Sequence, residues 1–110
     1  MPEVFEVYKD ARDEHRFRLK APNGQIIATG EGYTTKASCL NGIESIKENV
    51  AFADRFETYQ DKQGEHRFRL KAANGQVIAT GEGYTTENAL MNGIESVKRY
   101  AATAAIKLIE

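Results

Sequence analysis

Six basic side chains that alternate along two short segments are the residues of this sequence best suited to chemistry. Every second residue is basic in 16–20 and again in 67–71. Side chains of a β-strand point alternately to opposite faces, so each basic trio would share one face of a sheet. A tyrosine in the preceding segment of each half would lie on that same face. The candidate ligand-binding face therefore comprises Tyr8, Arg16, Arg18, Lys20, Tyr59, Arg67, Arg69 and Lys71.

Two interpretations of this face differ in what the cations do. Free cations beside aromatic rings would bind an anionic ligand, or would neutralise and stack a single-stranded nucleic acid. Alternatively, Glu6 pairs with Arg18 on the neighbouring strand. Glu57 would do the same with Arg69, which leaves an ordinary solvated surface. Such ion pairs contribute only about 0.2–1 kcal/mol each, and runs of charge are more often solvated faces than binding sites.

The other reactive residue types form no recognisable catalytic or metal site. His15 and His66 each follow a glutamate, but no third ligand class recurs to complete a metal site, and no nucleophile recurs beside them. Gly30 and Gly32 precede a helix, yet the motif lacks the third glycine of a dinucleotide-binding loop and the lysine of a P-loop. A bulge or tight turn is therefore favoured there. Cys39 lies on an apolar stripe, where a buried and inert thiol is expected. The sequence thus predicts no metal and no cofactor.

These observations favour a small non-catalytic binding or interaction domain that uses the cationic sheet face. The alternative is a nucleic-acid-binding accessory protein that uses the same face, and its binding would weaken steeply as salt rises. An enzyme acting on a small anionic substrate is the third hypothesis, and it requires a concave pocket. No membrane partner is expected.

The composition is that of one small globular domain. The chain has 110 residues, a formal net charge of −1 and a hydrophobic content of 41%, and domains of about this size build one core. A single cysteine excludes an internal disulfide. The sequence has neither a signal peptide nor an apolar run of the roughly 18 residues that a membrane helix needs. We therefore expect a cytoplasmic monomer that is not basic over its whole surface.

A tandem repeat organises the whole chain. Shifted by 51 positions, the sequence matches itself without a gap, and residues 28–35 recur unchanged as 79–86. The single domain therefore consists of a first repeat, 1–51, and a second repeat, 52–110. A unit this small buries too little surface to be stable alone. The two repeats are accordingly expected to share one core with pseudo-twofold symmetry.

Each repeat predicts three strands. In the first repeat, residues 4–8 and 16–20 alternate between apolar and polar side chains, and a polar turn near Arg12 joins them. This turn places apolar residues opposite apolar ones and polar opposite polar, with the pairs Val4–Lys20, Phe5–Leu19, Glu6–Arg18, Val7–Phe17 and Tyr8–Arg16. The third strand covers residues 25–29 after Asn23-Gly24. Both a two-residue loop and a three-residue loop with a bulge fit its register.

A helix follows the third strand of each repeat. Its N-cap is offered by the hydroxyls of Thr34 and Thr35. Apolar residues at helical spacing then form one stripe per helix, namely Cys39, Ile43, Ile46 and Val50, and Leu90, Ile94, Val97 and Ala101. Gly42 and Gly93 lie inside the helices, where a glycine costs about 1 kcal/mol relative to alanine. Their presence indicates a close approach of the helix backbone to another element. After the second helix, residues 104–109 are a candidate last strand.

The motifs of each unit resemble those of the YegP-like family of small bacterial and archaeal proteins. The resemblance rests on Phe-Glu-Val-Tyr, His-Arg-Phe-Arg-Leu-Lys-Ala, Asn-Gly-Gln, Gly-Glu-Gly-Tyr-Thr and Asn-Gly-Ile-Glu-Ser, and it covers essentially the whole chain. It implies an α+β fold of two tandem β-β-β-α-β units that share one antiparallel sheet. The helices would pack on one face, and the units would exchange their last strands. The family has no established biochemical activity, so the resemblance implies a fold and no function.

Overall fold

A computed structural model describes residues 2–109 as one sheet covered by two helices. The first repeat forms β1 (Val4–Lys9), β2 (His15–Lys20), β3 (Ile26–Gly30) and α1 (Lys36–Asn49). The second repeat forms a 3₁₀ turn (Ala53–Arg55), β4 (Phe56–Gln60), β5 (His66–Lys71), β6 (Val77–Thr80), α2 (Glu87–Ala101) and β7 (Ala105–Leu108). Neither helix of this described part is long and apolar enough to cross a membrane.

The seven strands form one sheet in the order β4-β5-β6-β3-β2-β1-β7. The two repeats meet where β3 pairs with β6, and the sheet is pseudo-twofold symmetric about that pair. The predicted α+β fold, with two units sharing one sheet, is therefore confirmed. The expectation of a fully antiparallel sheet is corrected at one edge, where β7 lies parallel to β1. A strand that returns through a helical connection, as β7 does after α2, is free to pair in parallel.

The last strand is present in the second repeat and absent from the first. β7 leaves its own unit and pairs with β1 of the first repeat, as the expected exchange requires. In the first repeat, α1 leads through the 3₁₀ turn directly into β4. Shifted by 51 positions, Ala105–Leu108 corresponds to residues 54–57, which this turn and β4 already occupy. The described residues therefore show the full β-β-β-α-β order in the second repeat alone.

The predicted register of β1 against β2 is confirmed at every pair, including Glu6 opposite Arg18. The sequence left two loops open between β2 and β3, and the structure has the three-residue loop. Lys20 pairs with Ile26, next to a bulge. Gly24 ends this loop with a φ of +86°. Glycine adopts that backbone conformation at little cost, which explains the residue at this position.

Both helices pack on the same face of the sheet and cover strands of both repeats. α1 contacts β2, β5 and β6, and α2 contacts β5 and β3. The predicted caps are present, since Thr35 and Thr86 each accept a hydrogen bond of 3.1 Å from the amide three residues later. The two predicted apolar stripes are buried together with Phe5, Phe17 and Phe68. Because each helix packs on strands of the other repeat, the repeats share one core.

A tyrosine explains the glycine inside each helix. A Cβ atom on Gly42 would lie 2.5 Å from the hydroxyl of Tyr33, and Gly93 has the same relationship to Tyr84. The Tyr33 ring is itself stacked on Phe17, with 6.5 Å between the ring centroids. The expected close approach is thus made by a side chain from the corner between strand and helix, and not by a neighbouring backbone.

Candidate functional site

The sheet face that the helices leave uncovered carries all eight residues of the predicted ligand-binding face. In β2, Phe17 and Leu19 are fully buried under the helices, whereas Arg16, Arg18 and Lys20 alternate with them and are half-buried. β5 repeats this pattern. Tyr8 lies opposite Arg16 on the same face. We call these eight residues the polar face: Tyr8, Arg16, Arg18, Lys20, Tyr59, Arg67, Arg69 and Lys71.

One row of side chains crosses this side of the sheet through all seven strands. Strand pairing aligns, from edge to edge, Glu57, Arg69, Thr80, Thr29, Arg18, Glu6 and Lys107. The row has the same residue types on both sides of the central threonine pair, with one exception. Lys107 flanks Glu6 from β7, whereas no strand of residues 2–109 flanks Glu57 on its outer side.

In the first repeat, one buried carboxylate holds two cations. Arg18 donates from Nε to Oε1 of Glu6 over 2.7 Å, and Nζ of Lys20 lies 3.2 Å from the same oxygen. The Glu6 side chain is only 10% exposed. The hydrogen bond from Arg18 lowers the pKa of Glu6, and burial opposes this effect more weakly. This carboxylate is therefore ionised and firmly paired.

The equivalent group in the second repeat is looser. Lys71 donates from Nζ to Oε2 of Glu57 over 3.0 Å, and this contact lowers the pKa of Glu57. Nε of Arg69 lies 3.2 Å from Oε1 of Glu57 without an aligned hydrogen bond. Within the described chain, this Nε is the buried side-chain polar atom that lacks a partner. The Glu57 side chain is 46% exposed, because no strand covers it as β7 covers Glu6.

An aspartate in the first turn of each repeat pairs with the arginine of the polar face that does not contact Glu6 or Glu57. Arg16 donates from Nε to Asp10 over 2.6 Å, and the other oxygen of Asp10 accepts from the amides of Arg12 and Glu14. The guanidinium lowers the pKa of Asp10. Asp61 does the same for Arg67 over 2.7 Å.

Neither aspartate is among the eight residues of the predicted ligand-binding face. The signal that locates them is the recurrence of an aspartate six residues before an arginine in both repeats.

Two arginines of the polar face lie over the rings of its tyrosines. Cζ of Arg18 is 4.5 Å from the centroid of the Tyr8 ring, and Cζ of Arg69 is 4.1 Å from that of Tyr59. The Tyr8 ring and the Glu6 carboxylate together restrict the rotamers of Arg18, whereas Arg69 is held by the Tyr59 ring and an ion pair without an aligned hydrogen bond. The hydrogen bond that Arg18 makes to the described residues uses Nε, so its terminal nitrogens take no part in that bond.

The residues considered for metal binding or catalysis do not assemble. No cluster of three or more His, Cys, Asp or Glu side chains suited to a metal ion occurs in residues 2–109. His15 pairs through its backbone with Tyr33. Cys39 is fully buried, and burial raises the pKa of its thiol, as expected for an inert cysteine. A Cβ on Gly30 would meet the ring of Phe17, so this glycine makes room for the core and not for a phosphate.

A groove of about 510 Å³ lies beside the ends of β1 and β7. Apolar and basic side chains line it, namely Val7, Tyr8, Lys9, His15, Lys36, Leu108 and Ile109. Among the described residues, the lining contains no carboxylate. The groove supplies the concavity that the enzyme hypothesis requires, with a histidine and two lysines in its lining.

Comparison with known proteins relates the chain to a family without an assigned activity. The profile of the family described as "Domain of unknown function (DUF1508)" matches residues 10–57 and 61–107. The chain is 45% identical over 106 residues to the "UPF0339 protein in ptx operon 5'region" of Stutzerimonas stutzeri, and the match covers 96% of each chain. It is 39% identical to the UPF0339 protein YegP of Escherichia coli K12, with 94% of each chain covered.

Two solution NMR structures have the same fold. The protein of unknown function yegP from E. coli superimposes with a TM-score of 0.92 at 38% identity, covering 98% of this chain and 93% of that one. A UPF0339 protein from Shewanella oneidensis gives 0.90 at 40% identity, covering 98% and 92%. The resemblance noted from the sequence motifs is thereby confirmed, and nothing in these relatives indicates catalysis.

Proposed function

The chain is a two-repeat member of the DUF1508 family, and on that premise we propose that it is a non-catalytic domain that binds an anionic partner through the polar face. The observation that carries this proposal is the pair of oriented guanidinium groups on opposite sides of the central Thr29–Thr80 contact. Arg18 is stacked on Tyr8, and Arg69 is stacked on Tyr59. An arginine already held in this way loses little further entropy when a carboxylate or phosphate binds.

The spacing of these two arginines suits a partner with separate anionic groups. Arg18 and Arg69 belong to the same row of paired residues and are separated by three strand spacings, or about 14 Å. A rigid sheet holds this separation constant. The partner would accordingly be extended, or twofold symmetric, with acidic groups at a matching distance.

The carboxylates of the face restrict which anions can bind. Four acidic side chains, Glu6, Asp10, Glu57 and Asp61, pair with the six cations of the polar face. They neutralise most of its charge, so a uniform polyanion gains little from the whole surface. Discrete carboxylates or phosphates that meet the terminal nitrogens of the two stacked arginines are favoured over a nucleic-acid backbone.

The proposal is tested by NMR titration of the ¹⁵N-labelled protein at low salt with three probes: a diacidic peptide, inorganic phosphate and a single-stranded oligonucleotide. We expect the peptide to shift amides of β2 and β5 together. The double variant Arg18→Gln with Arg69→Gln should weaken binding about tenfold or more, because two charge-assisted hydrogen-bonding groups are lost. The double variant Arg12→Gln with Lys62→Gln removes the same charge from exposed turns and serves as the matched control.

The outcomes separate this function from its alternative. Shifts confined to other surfaces, or equal losses in both double variants, contradict a site on the polar face. Tight oligonucleotide binding that weakens steeply with salt would instead establish the nucleic-acid hypothesis.

A further inference from the structure

The two outer strands of the symmetric sheet differ in what lies beside them. β1 has β7 on its outer side, in parallel, whereas its counterpart β4 forms the opposite edge of the sheet. Within residues 2–109, no strand pairs with the outer side of β4. The pseudo-twofold symmetry therefore leaves one strand position occupied and its equivalent empty.

The absence of a neighbouring strand exposes side chains that are buried in the first repeat. Val7 is 4% exposed, whereas its counterpart Thr58 is exposed. Glu6 has a side chain that is 10% exposed, against 46% for Glu57. Phe56 is half-buried, although its counterpart is fully buried. Such a row of exposed backbone and half-covered side chains at a sheet edge is a template for another strand.

The first repeat, as far as the structure describes it, has no segment free to fill this position. The segment equivalent to β7 falls on residues 54–57, which are already used by the 3₁₀ turn and β4. The position is therefore open to a strand from another molecule.

β7 indicates which sequence that strand needs. Ile106 lies opposite Phe5, Lys107 opposite Glu6, and Leu108 opposite Val7. Transferred to β4 by the 51-residue shift, the same pairing places apolar residues opposite Phe56 and Thr58 and a cation opposite Glu57. Glu57 is the exposed acidic end of the row and lacks the flanking cation that Glu6 has, so the charges are complementary.

We propose that the outer edge of β4 binds an extended segment of a partner protein that runs parallel to β4 and has the pattern apolar–Lys/Arg–apolar. Backbone hydrogen bonds to the edge supply the affinity. The side chains of Phe56, Glu57 and Thr58 select the sequence of the bound segment, as in other cases of strand addition. The proposal goes beyond the polar face, because the edge is a different surface and needs no anionic ligand.

A second copy of the chain that offers the free side of its β7 is the less favoured occupant. Its β7 is held by β1 on one side, so addition of β4 from another copy to the free side would be head-to-tail. Head-to-tail contacts that do not close produce open filaments. A segment of a different protein would pair with the outer edge of β4 without producing filaments.

The test uses a synthetic peptide with the sequence of residues 103–109, which contains β7, the strand that pairs with β1 at the equivalent position. In an NMR titration of the ¹⁵N-labelled full chain to millimolar peptide, we expect shifts concentrated in Phe56–Gln60. The same peptide with glutamate in place of its lysine should bind more weakly. Glu57→Gln should weaken binding of the lysine peptide about twofold to fivefold, whereas Glu82→Gln, which removes an exposed charge away from this edge, should leave it unchanged.

Weaker peptide binding by a variant could also result from unfolding, so a variant that is expected to bind the peptide more tightly is included. Thr58→Val restores the apolar residue that β1 has at this position, and it should tighten peptide binding. Absence of shifts in β4 at millimolar peptide overturns the proposal. So do shifts centred on β7 and β1, or equal binding of the lysine and glutamate peptides. Self-association through β4 without peptide, detected by sedimentation, would assign the edge to a second copy instead.

Discussion

The hydroxyl of Thr29 lies 3.1 Å from the hydroxyl of Thr80, its own counterpart in the other repeat. The contact occurs at the pair where β3 meets β6 and marks the pseudo-twofold axis of the sheet. Only one further residue pair, Gly30 with Ala79, joins these strands. The repeats are consequently held together by the helices that cross between them as well as by the sheet.

The first repeat alone is therefore expected not to form a stable monomer. A fragment of residues 1–51 keeps α1 but loses β5 and β6, which α1 covers, and it also loses β7 beside β1. The apolar stripe of α1 would be exposed to water, and a unit this small has little other core. Circular dichroism and analytical ultracentrifugation should show an unfolded chain or a dimer. A folded monomer of this fragment would contradict the shared core.

The two faces of β2 should respond very differently to truncation. Phe17 is fully buried against Phe5 and Tyr33, so Phe17→Ala is expected to lower the free energy of unfolding by about 3–5 kcal/mol. Arg18→Ala removes a hydrogen bond from the buried carboxylate of Glu6 and should cost about 1–3 kcal/mol.

Arg69→Ala is the matched variant, because its carboxylate partner is half-exposed, and it should cost less than about 1 kcal/mol. Urea denaturation of the three variants measures these differences. Equal losses for the two arginine variants would show that β7 does not strengthen the ion pair of the first repeat.

Alternation of residue types was sufficient to predict the register of β1 and β2 and the face of each side chain. A shift of one residue would have buried arginines, so a single pairing satisfied both faces. For the same reason, the cross-strand pairing of Glu6 with Arg18 followed from the sequence.

The remaining features depend on geometry that the pattern of residue types does not encode. The hydrogen bonds from Arg16 to Asp10 and from Arg67 to Asp61 close turns that contain a residue with positive φ, Asp13 (67°) and Gly64 (81°). The lack of a last strand in the first repeat follows from the length of the connection, since the same residues cannot serve both as that strand and as β4. The residue types also do not show which side chain fills the space beside Gly42, because that depends on the direction in which Tyr33 points from the connection between β3 and α1.

The contact between Tyr33 and Gly42 predicts an unusual effect of a helix-favouring substitution. Gly42→Ala should gain about 1 kcal/mol in helix propensity. The added methyl group, however, would collide with a tyrosine ring that is stacked on Phe17 and cannot swing away freely. A net loss of stability is expected, because overpacking typically costs about 1–3 kcal/mol.

The double variant Gly42→Ala with Tyr33→Leu separates the two effects, since the smaller side chain leaves room for the methyl group. Thermal unfolding should show that Gly42→Ala is stabilising in the Tyr33→Leu background and destabilising in the original chain. The same sign in both backgrounds would exclude the tyrosine as the reason for the glycine.

The buried carboxylate of Glu6 should make the stability of the protein depend on pH in the acid range. Its pKa is lowered from the ordinary value of 4.5 by Arg18 in the folded state. The unfolded chain therefore binds this proton more readily than the folded chain. The stabilisation is complete above pH 4.5 and is lost as the pH falls below it, through the folded pKa.

Glu6→Gln should accordingly lower the free energy of unfolding by about 1–3 kcal/mol at neutral pH, and the difference from the original chain should shrink as the pH falls below 4.5. Urea denaturation at successive pH values measures this difference. Glu57→Gln, at the equivalent position with a half-exposed side chain, is the matched comparison and should show a smaller effect over the same range. A difference for Glu6→Gln that is constant with pH would mean that the carboxylate contributes by packing and not by its charge.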